Sequence, residues 1–113
     1  MATAALADGD AAKGATVAKV CAACHSFKDK TNKIGPYLVG IVDRPLAAAE
    51  GYSYSDGAKK YAADNASGKW DTARLFKYLA DPKAEVPGTK MAFAGVKDEA
   101  KRNDLIAYLA SLK

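Results

Sequence analysis

Cys21-Ala22-Ala23-Cys24-His25 decides how the rest of the chain is read. C-x-x-C-H is the attachment pattern of c-type haem. Each thiol adds across one haem vinyl group, which gives two thioethers. Two intervening residues let one helical turn place both sulfurs along one edge of the macrocycle, and the next residue brings its imidazole under the iron. A redox dithiol of the thioredoxin kind needs a βαβ context, and no strand pattern flanks this segment. A zinc site normally takes four Cys or His ligands, and the chain has two Cys and one His. A disulfide framework needs several pairs, and the one pair here is three residues apart. A Ser-His-Asp triad would have to use His25, directly after Cys24.

Working outward, the iron's other axial position needs a second ligand. His25 is the only His, so bis-His ligation within the chain is excluded. The thioethers are Met1, at the terminus, and Met91, within Val86-Pro87-Gly88-Thr89-Lys90-Met91-Ala92-Phe93-Ala94-Gly95. A Met is ordinarily core filler. In a Pro/Gly-shaped loop of a chain that also carries C-x-x-C-H, Met91 is the candidate axial ligand.

The surroundings read as helices joined by long loops. Asp8-Gly9-Asp10 offers cap chemistry for a helix over about 10–22, with Val17, Val20 and Cys21 on one face. Residues 26–54 hold Gly35-Pro36, Gly40, Pro45 and Gly51 and show no strand alternation. Ser55-Asp56 caps a short helix near 56–62, and Asp64 to Gly68 is turn-like. Asp71 caps a helix from Thr72 to Ala80 that Pro82 stops, and 82–96 form another loop. Asp98-Glu99 open a terminal helix with Leu105, Tyr108, Leu109 and Leu112 at helical spacing. Loops this long usually wrap something.

At 113 residues, half of them apolar, one all-α domain over 8–113 is expected, with residues 1–7 a leader remnant or spacer. No apolar run approaches the roughly 18 residues a membrane helix needs. Seventeen basic and 13 acidic residues leave +4, which suits a docking face for an acidic partner better than a nucleic-acid grip.

The chain resembles the class I cytochromes c, specifically bacterial relatives of the mitochondrial protein. The resemblance runs from about Asp10 to Leu112 and rests on CAACH, Gly35-Pro36, Arg44, Gly51-Tyr52-Ser53-Tyr54-Ser55-Asp56, Trp70, Tyr78-Leu79 and Pro87-Gly88-Thr89-Lys90-Met91. It implies that the N- and C-terminal helices cross beside one covalent haem c, with a third main helix and haem-wrapping loops. It implies that Cys21 and Cys24 carry the thioethers, that His25 and Met91 ligate the iron, and that the Pro36 carbonyl orients His25. Arg44, Tyr54 and Trp70 fall where the family anchors a propionate, with Tyr52 beside them. Tyr78 and Thr89 fall beside the axial Met, and Phe93 where an aromatic covers the haem edge. Leu38, Leu79, Leu105 and Leu109 fall on the apolar pocket wall. Lys33, Lys83, Lys90 and Lys97 fall where family members ring the haem edge, and Lys28 and Lys30 extend that ring.

The chain also departs from the family pattern. Val17 or Ala18 stands where many members carry an aromatic, so the crossing against Leu105 and Tyr108 is expected to be looser or differently filled. Ala58 replaces a polar amide near Tyr78, and Tyr61 to Gly68 includes a small insertion relative to the shortest members, read as a tolerated surface loop. The function implied is one-electron transfer between respiratory complexes, from a bc1-type donor to a cytochrome oxidase or similar acceptor, by a periplasmic monomer that is free or the soluble part of a membrane-anchored cytochrome. The competing expectation is a peroxidase-like haem enzyme or ligand sensor with an open axial site. That reading needs a distal His or Arg, and there is no second His.

Overall fold

The computed structural model describes residues 9–91 and 93–112; the expectation for residues 1–7 lies outside them. The architecture is all-α. In chain order the helices are α1 (Ala11–Val17), continued by a 3₁₀ turn (Ala18–Val20), α2 (Asp56–Asp64), α3 (Thr72–Ala80), α4 (Pro82–Glu85) and α5 (Glu99–Ala110).

Short acidic or hydroxyl side chains start each of them. The Asp10 carboxylate accepts from the amides of Ala12 and Lys13, Ser55 from Ala58, Asp71 from Arg74 and Asp98 from Lys101. Each bond satisfies a first-turn amide that has no partner inside its helix. Two boundaries differ from the sequence reading. The first α-helix ends at Val17, and its last turn tightens to 3₁₀ before Cys21. Pro82, expected only as a stop, opens the one-turn α4, because Asp81 caps Ala84 and a proline at the first helical position has no amide to leave unpaired.

The main helix pairing is α1 across α5, with α3 beside α5. The crossing is close rather than loose. Gly14 is buried, and a Cβ on it would overlap the Asp104 carbonyl and press on Tyr108. Ala18 is 1% exposed, so a small residue is what this approach accepts. The aromatic missing from α1 is supplied from the loop after His25: Phe27 meets Tyr108 edge-on at 5.7 Å between ring centres. Leu75 and Leu79 of α3 join Leu105, Ile106 and Leu109 of α5, with Ile41 and Val96 from the loops, in one apolar core. Leu75, Leu79, Leu105, Leu109 and Ile41 also face a cavity, so one wall serves as core and as lining.

Candidate haem site

The cavity measures about 310 Å³ and is walled mainly by apolar side chains. Cys21 and Cys24 enter it from the turn that follows the 3₁₀ segment. That turn is held by the amide of Cys24 on the Cys21 carbonyl (3.1 Å) and of His25 on the same carbonyl (2.9 Å). No disulfide joins the two cysteines, and burial, with Cys24 nearby, pushes the Cys21 thiol up.

His25 is held in a defined tautomer. Its Nδ1 lies 2.7 Å from the Pro36 carbonyl oxygen. A carbonyl only accepts, so Nδ1 carries the proton and Nε2 keeps a lone pair for a metal. Gly35 allows this approach, since a Cβ there would run into the imidazole ring. Burial holds the ring below its usual basicity, against the opposing pull of the Pro36 bond, so the neutral ligand form prevails at neutral pH.

Met91 lines the same cavity, and its Sδ accepts a hydrogen bond from the Tyr78 hydroxyl at 3.1 Å. Burial pushes the Tyr78 phenol up to about 12, with Thr89 pulling the other way. Tyr78 is therefore a permanent donor at physiological pH. The loop that carries Met91 is folded by the Thr89 amide on the Val86 carbonyl (3.1 Å) and the Met91 amide on the Thr89 hydroxyl (3.2 Å).

Of the other residues singled out from the sequence, Pro36, Leu38, Tyr52, Tyr54, Trp70, Thr89 and Phe93 all reach the cavity. Tyr52 and Tyr54 meet edge-on at 4.8 Å, and the Tyr54 hydroxyl accepts from the Ala49 amide. Arg44 does not line the cavity. Its guanidinium donates to the carbonyls of Tyr37 (2.8 Å) and Val39 (2.6 Å) and lies 4.4 Å from the Tyr37 ring centre.

The four lysines are exposed. Lys33 donates to the Ala22 carbonyl, Lys90 to that of Ser53 and Lys97 to that of Ala80, while Lys83 lies on the outer side of α4. The sequence reading missed Ile41, Leu46 and Val86 on the wall, which sit in loops with no period to betray them, and the exposed Val20 and Ile34 at the rim. It also gave Tyr61 no part in the site: that residue sits on α2, lines the cavity and stacks on Trp70 at 6.1 Å.

This donor set fits a covalent haem. Two cysteine sulfurs, an imidazole with one nitrogen committed to a carbonyl, and a thioether all face one apolar slot. Among the described residues no cluster of three His, Cys, Asp or Glu offers an alternative metal site, and no helix is long and apolar enough to cross a membrane.

Comparison with known proteins agrees. The family model for cytochrome c matches residues 11–113. The chain is 49% identical to cytochrome c of Gibberella zeae over 92% of its own length and 95% of that protein. It is 48% identical to cytochrome c2 of Blastochloris viridis over 88% of its length and 76% of that protein. Among solved structures it superposes on cytochrome cH from Methylobacterium extorquens with a TM-score of 0.81 and 45% identity, covering 91% of this chain and 99% of that one. From the C-x-x-C-H turn to the packed helix crossing, the chain belongs to the class I cytochromes c, electron carriers with one covalently attached haem c.

Proposed function

We propose that this cytochrome is a periplasmic one-electron carrier whose haem is ligated by His25 and Met91. It takes electrons from a bc1-type complex and passes them to a cytochrome oxidase or a comparable acceptor. The observation that carries this reading is the Tyr78 hydroxyl on Met91 Sδ, in the cavity that also holds the Pro36-oriented His25. The haem supplies a reversible one-electron iron couple. The residues around it keep that couple from becoming an enzyme. Met91 would hold the iron at the position a substrate would otherwise need, since Tyr78 engages one sulfur lone pair and the other could serve the metal. A thioether favours the reduced iron more than a second imidazole would, which raises the potential. Leu38, Leu79, Leu105 and Leu109 exclude water from the cavity, and Phe93 covers its edge. Tyr54 and Trp70 would offer a hydroxyl and an indole N–H to the propionates, with Tyr52 alongside.

The exposed Lys33, Lys83, Lys90 and Lys97 are the docking contacts for acidic partners. They would speed encounter by charge steering. The test is a redox titration joined to partner kinetics. One reversible one-electron wave, with fast transfer from a bc1-type complex and negligible turnover of peroxide, is expected. Rapid peroxide turnover by the fresh wild-type protein would contradict the carrier reading.

A further inference from the structure

Tyr61 holds the entry to the ligand loop. Its hydroxyl accepts from Arg74 Nη1 at 2.6 Å and donates to Glu85 Oε2 at 3.2 Å. Those two partners sit on different helices, Arg74 on α3 and Glu85 at the last position of α4. One phenol oxygen therefore joins α2, α3 and α4. Glu85 directly precedes Val86, where the loop to Met91 begins.

A second contact lies one helical turn away on the same side of α2. A Cβ on Gly57 would overlap the Pro87 carbonyl and crowd Gly88, so the two backbones touch. Positions four apart share a helix face, so α2 lies along the segment from Glu85 to Gly88, pinned at both ends of one turn. α4 cannot hold that segment alone, since it has four residues and an isolated turn is unstable. α3 can act as the anchor, because Leu75 and Leu79 bury it in the core. The far end of the loop is fastened separately, by Lys90 on the Ser53 carbonyl and Tyr78 on Met91.

We infer that Tyr61 is a positioning residue for the axial ligand: with Arg74 and Glu85 it latches the start of the loop and sets how often Met91 leaves the iron. This rests on Met91 being the ligand. Arg74 Nε is already buried without a partner, so removing the phenol oxygen strips a second nitrogen of the same guanidinium. The opening is expected to become roughly tenfold more frequent, the range for a charge-assisted bond.

The experiment uses ferric holoprotein at pH 7 and imidazole as the entering ligand, with the saturating rate read as loop opening. Tyr61→Phe keeps the ring on Trp70 and loses the hydroxyl. It should take up imidazole about tenfold faster, Glu85→Gln should show a smaller rise, and both should keep the weak far-red sulfur-to-iron band beforehand. Exchange of the Thr89 amide should speed by a similar factor in Tyr61→Phe, and this reads the tether whatever ligates the iron. Gly14→Ala, which disturbs the α1–α5 crossing, is the control for general loss of stability. Wild-type rates in Tyr61→Phe, or an equal rise in Gly14→Ala, would overturn the latch. Loss of protection at Thr89 in a protein whose wild type shows no far-red band would keep the latch and remove Met91 as the ligand.

Discussion

Gly14→Ala sets two opposed effects against each other. An alanine in a helix interior is favoured over glycine by about 1 kcal/mol. Propensity alone would therefore raise the melting temperature by several degrees in a domain of this size. The structure says the opposite. The new Cβ would overlap the carbonyl of Asp104 and approach Tyr108 Cβ. Asp104 lies within α5, so the obstacle is helix backbone and cannot swing away as a side-chain end would. The helices must part, and parting them loosens Ala18, Leu105 and Ile106, each 1% exposed. Overpacking of this kind typically costs about 1–3 kcal/mol, and here it falls on rigid backbone at the main helix pairing. Taking the top of that range and subtracting the propensity gain leaves a net loss of about 2 kcal/mol. In a domain of about 100 residues that is a fall of roughly 8–16 °C. Thermal unfolding of the ferric holoprotein, followed by far-ultraviolet dichroism, measures it. A melting temperature equal to or above wild type would show that the crossing has room for a methyl group and would refute the close-packing account.

Three other outcomes are expected. Electron transfer to an acidic partner should slow as salt rises, since charge is screened beyond about 10 Å at 0.1 M; rates indifferent to salt and to Lys83→Glu plus Lys90→Glu would remove the docking face. On raising the pH of the ferric protein, an amine should replace Met91 before the Tyr78 phenolate forms. A lysine ordinarily gives up its proton near about 10.4, whereas burial raises Tyr78 to about 12; the stability that its neutral form contributes is whole below the ordinary phenol value of about 10 and is lost as pH rises from there through about 12. Lys90 is next to Met91 and need only release the Ser53 carbonyl, so Lys90→Ala should alter the pH or the product of the change; an unaltered transition would exclude it. Intact mass after denaturation should exceed the chain by one haem, and Cys24→Ala should leave a single thioether with a shifted spectrum; a bare chain mass in exported protein would contradict covalent attachment.

Much of this was legible because it is local. Asp10, Ser55, Asp71 and Asp98 announce helix starts through bonds spanning two or three residues, and such bonds can be read along the chain. The attachment segment is likewise five consecutive residues. What escaped depends on loops meeting at a distance. Ile41 and Val86 become cavity wall only when the loops close over the slot. Arg44 carries the right chemistry for a carboxylate, yet it turns to the carbonyls of Tyr37 and Val39, and no spacing rule indicates that choice. Tyr61 looked like part of a surface insertion, because nothing near it in the chain reveals Arg74 or Glu85, 13 and 24 residues away. Asp81-Pro82 could have been read as a helix start, since an Asp cap followed by proline is a known opening.

The central claim is that Met91 and His25 complete the iron's coordination and leave no open position. The most direct measurement is the absorption spectrum of the ferric protein at neutral pH, taken for wild type and Met91→Ala. A low-spin wild-type spectrum with a weak far-red sulfur-to-iron band, lost in the variant together with a fall in potential, is the predicted result. A high-spin wild-type spectrum, or a variant with spectrum and potential unchanged, would contradict it.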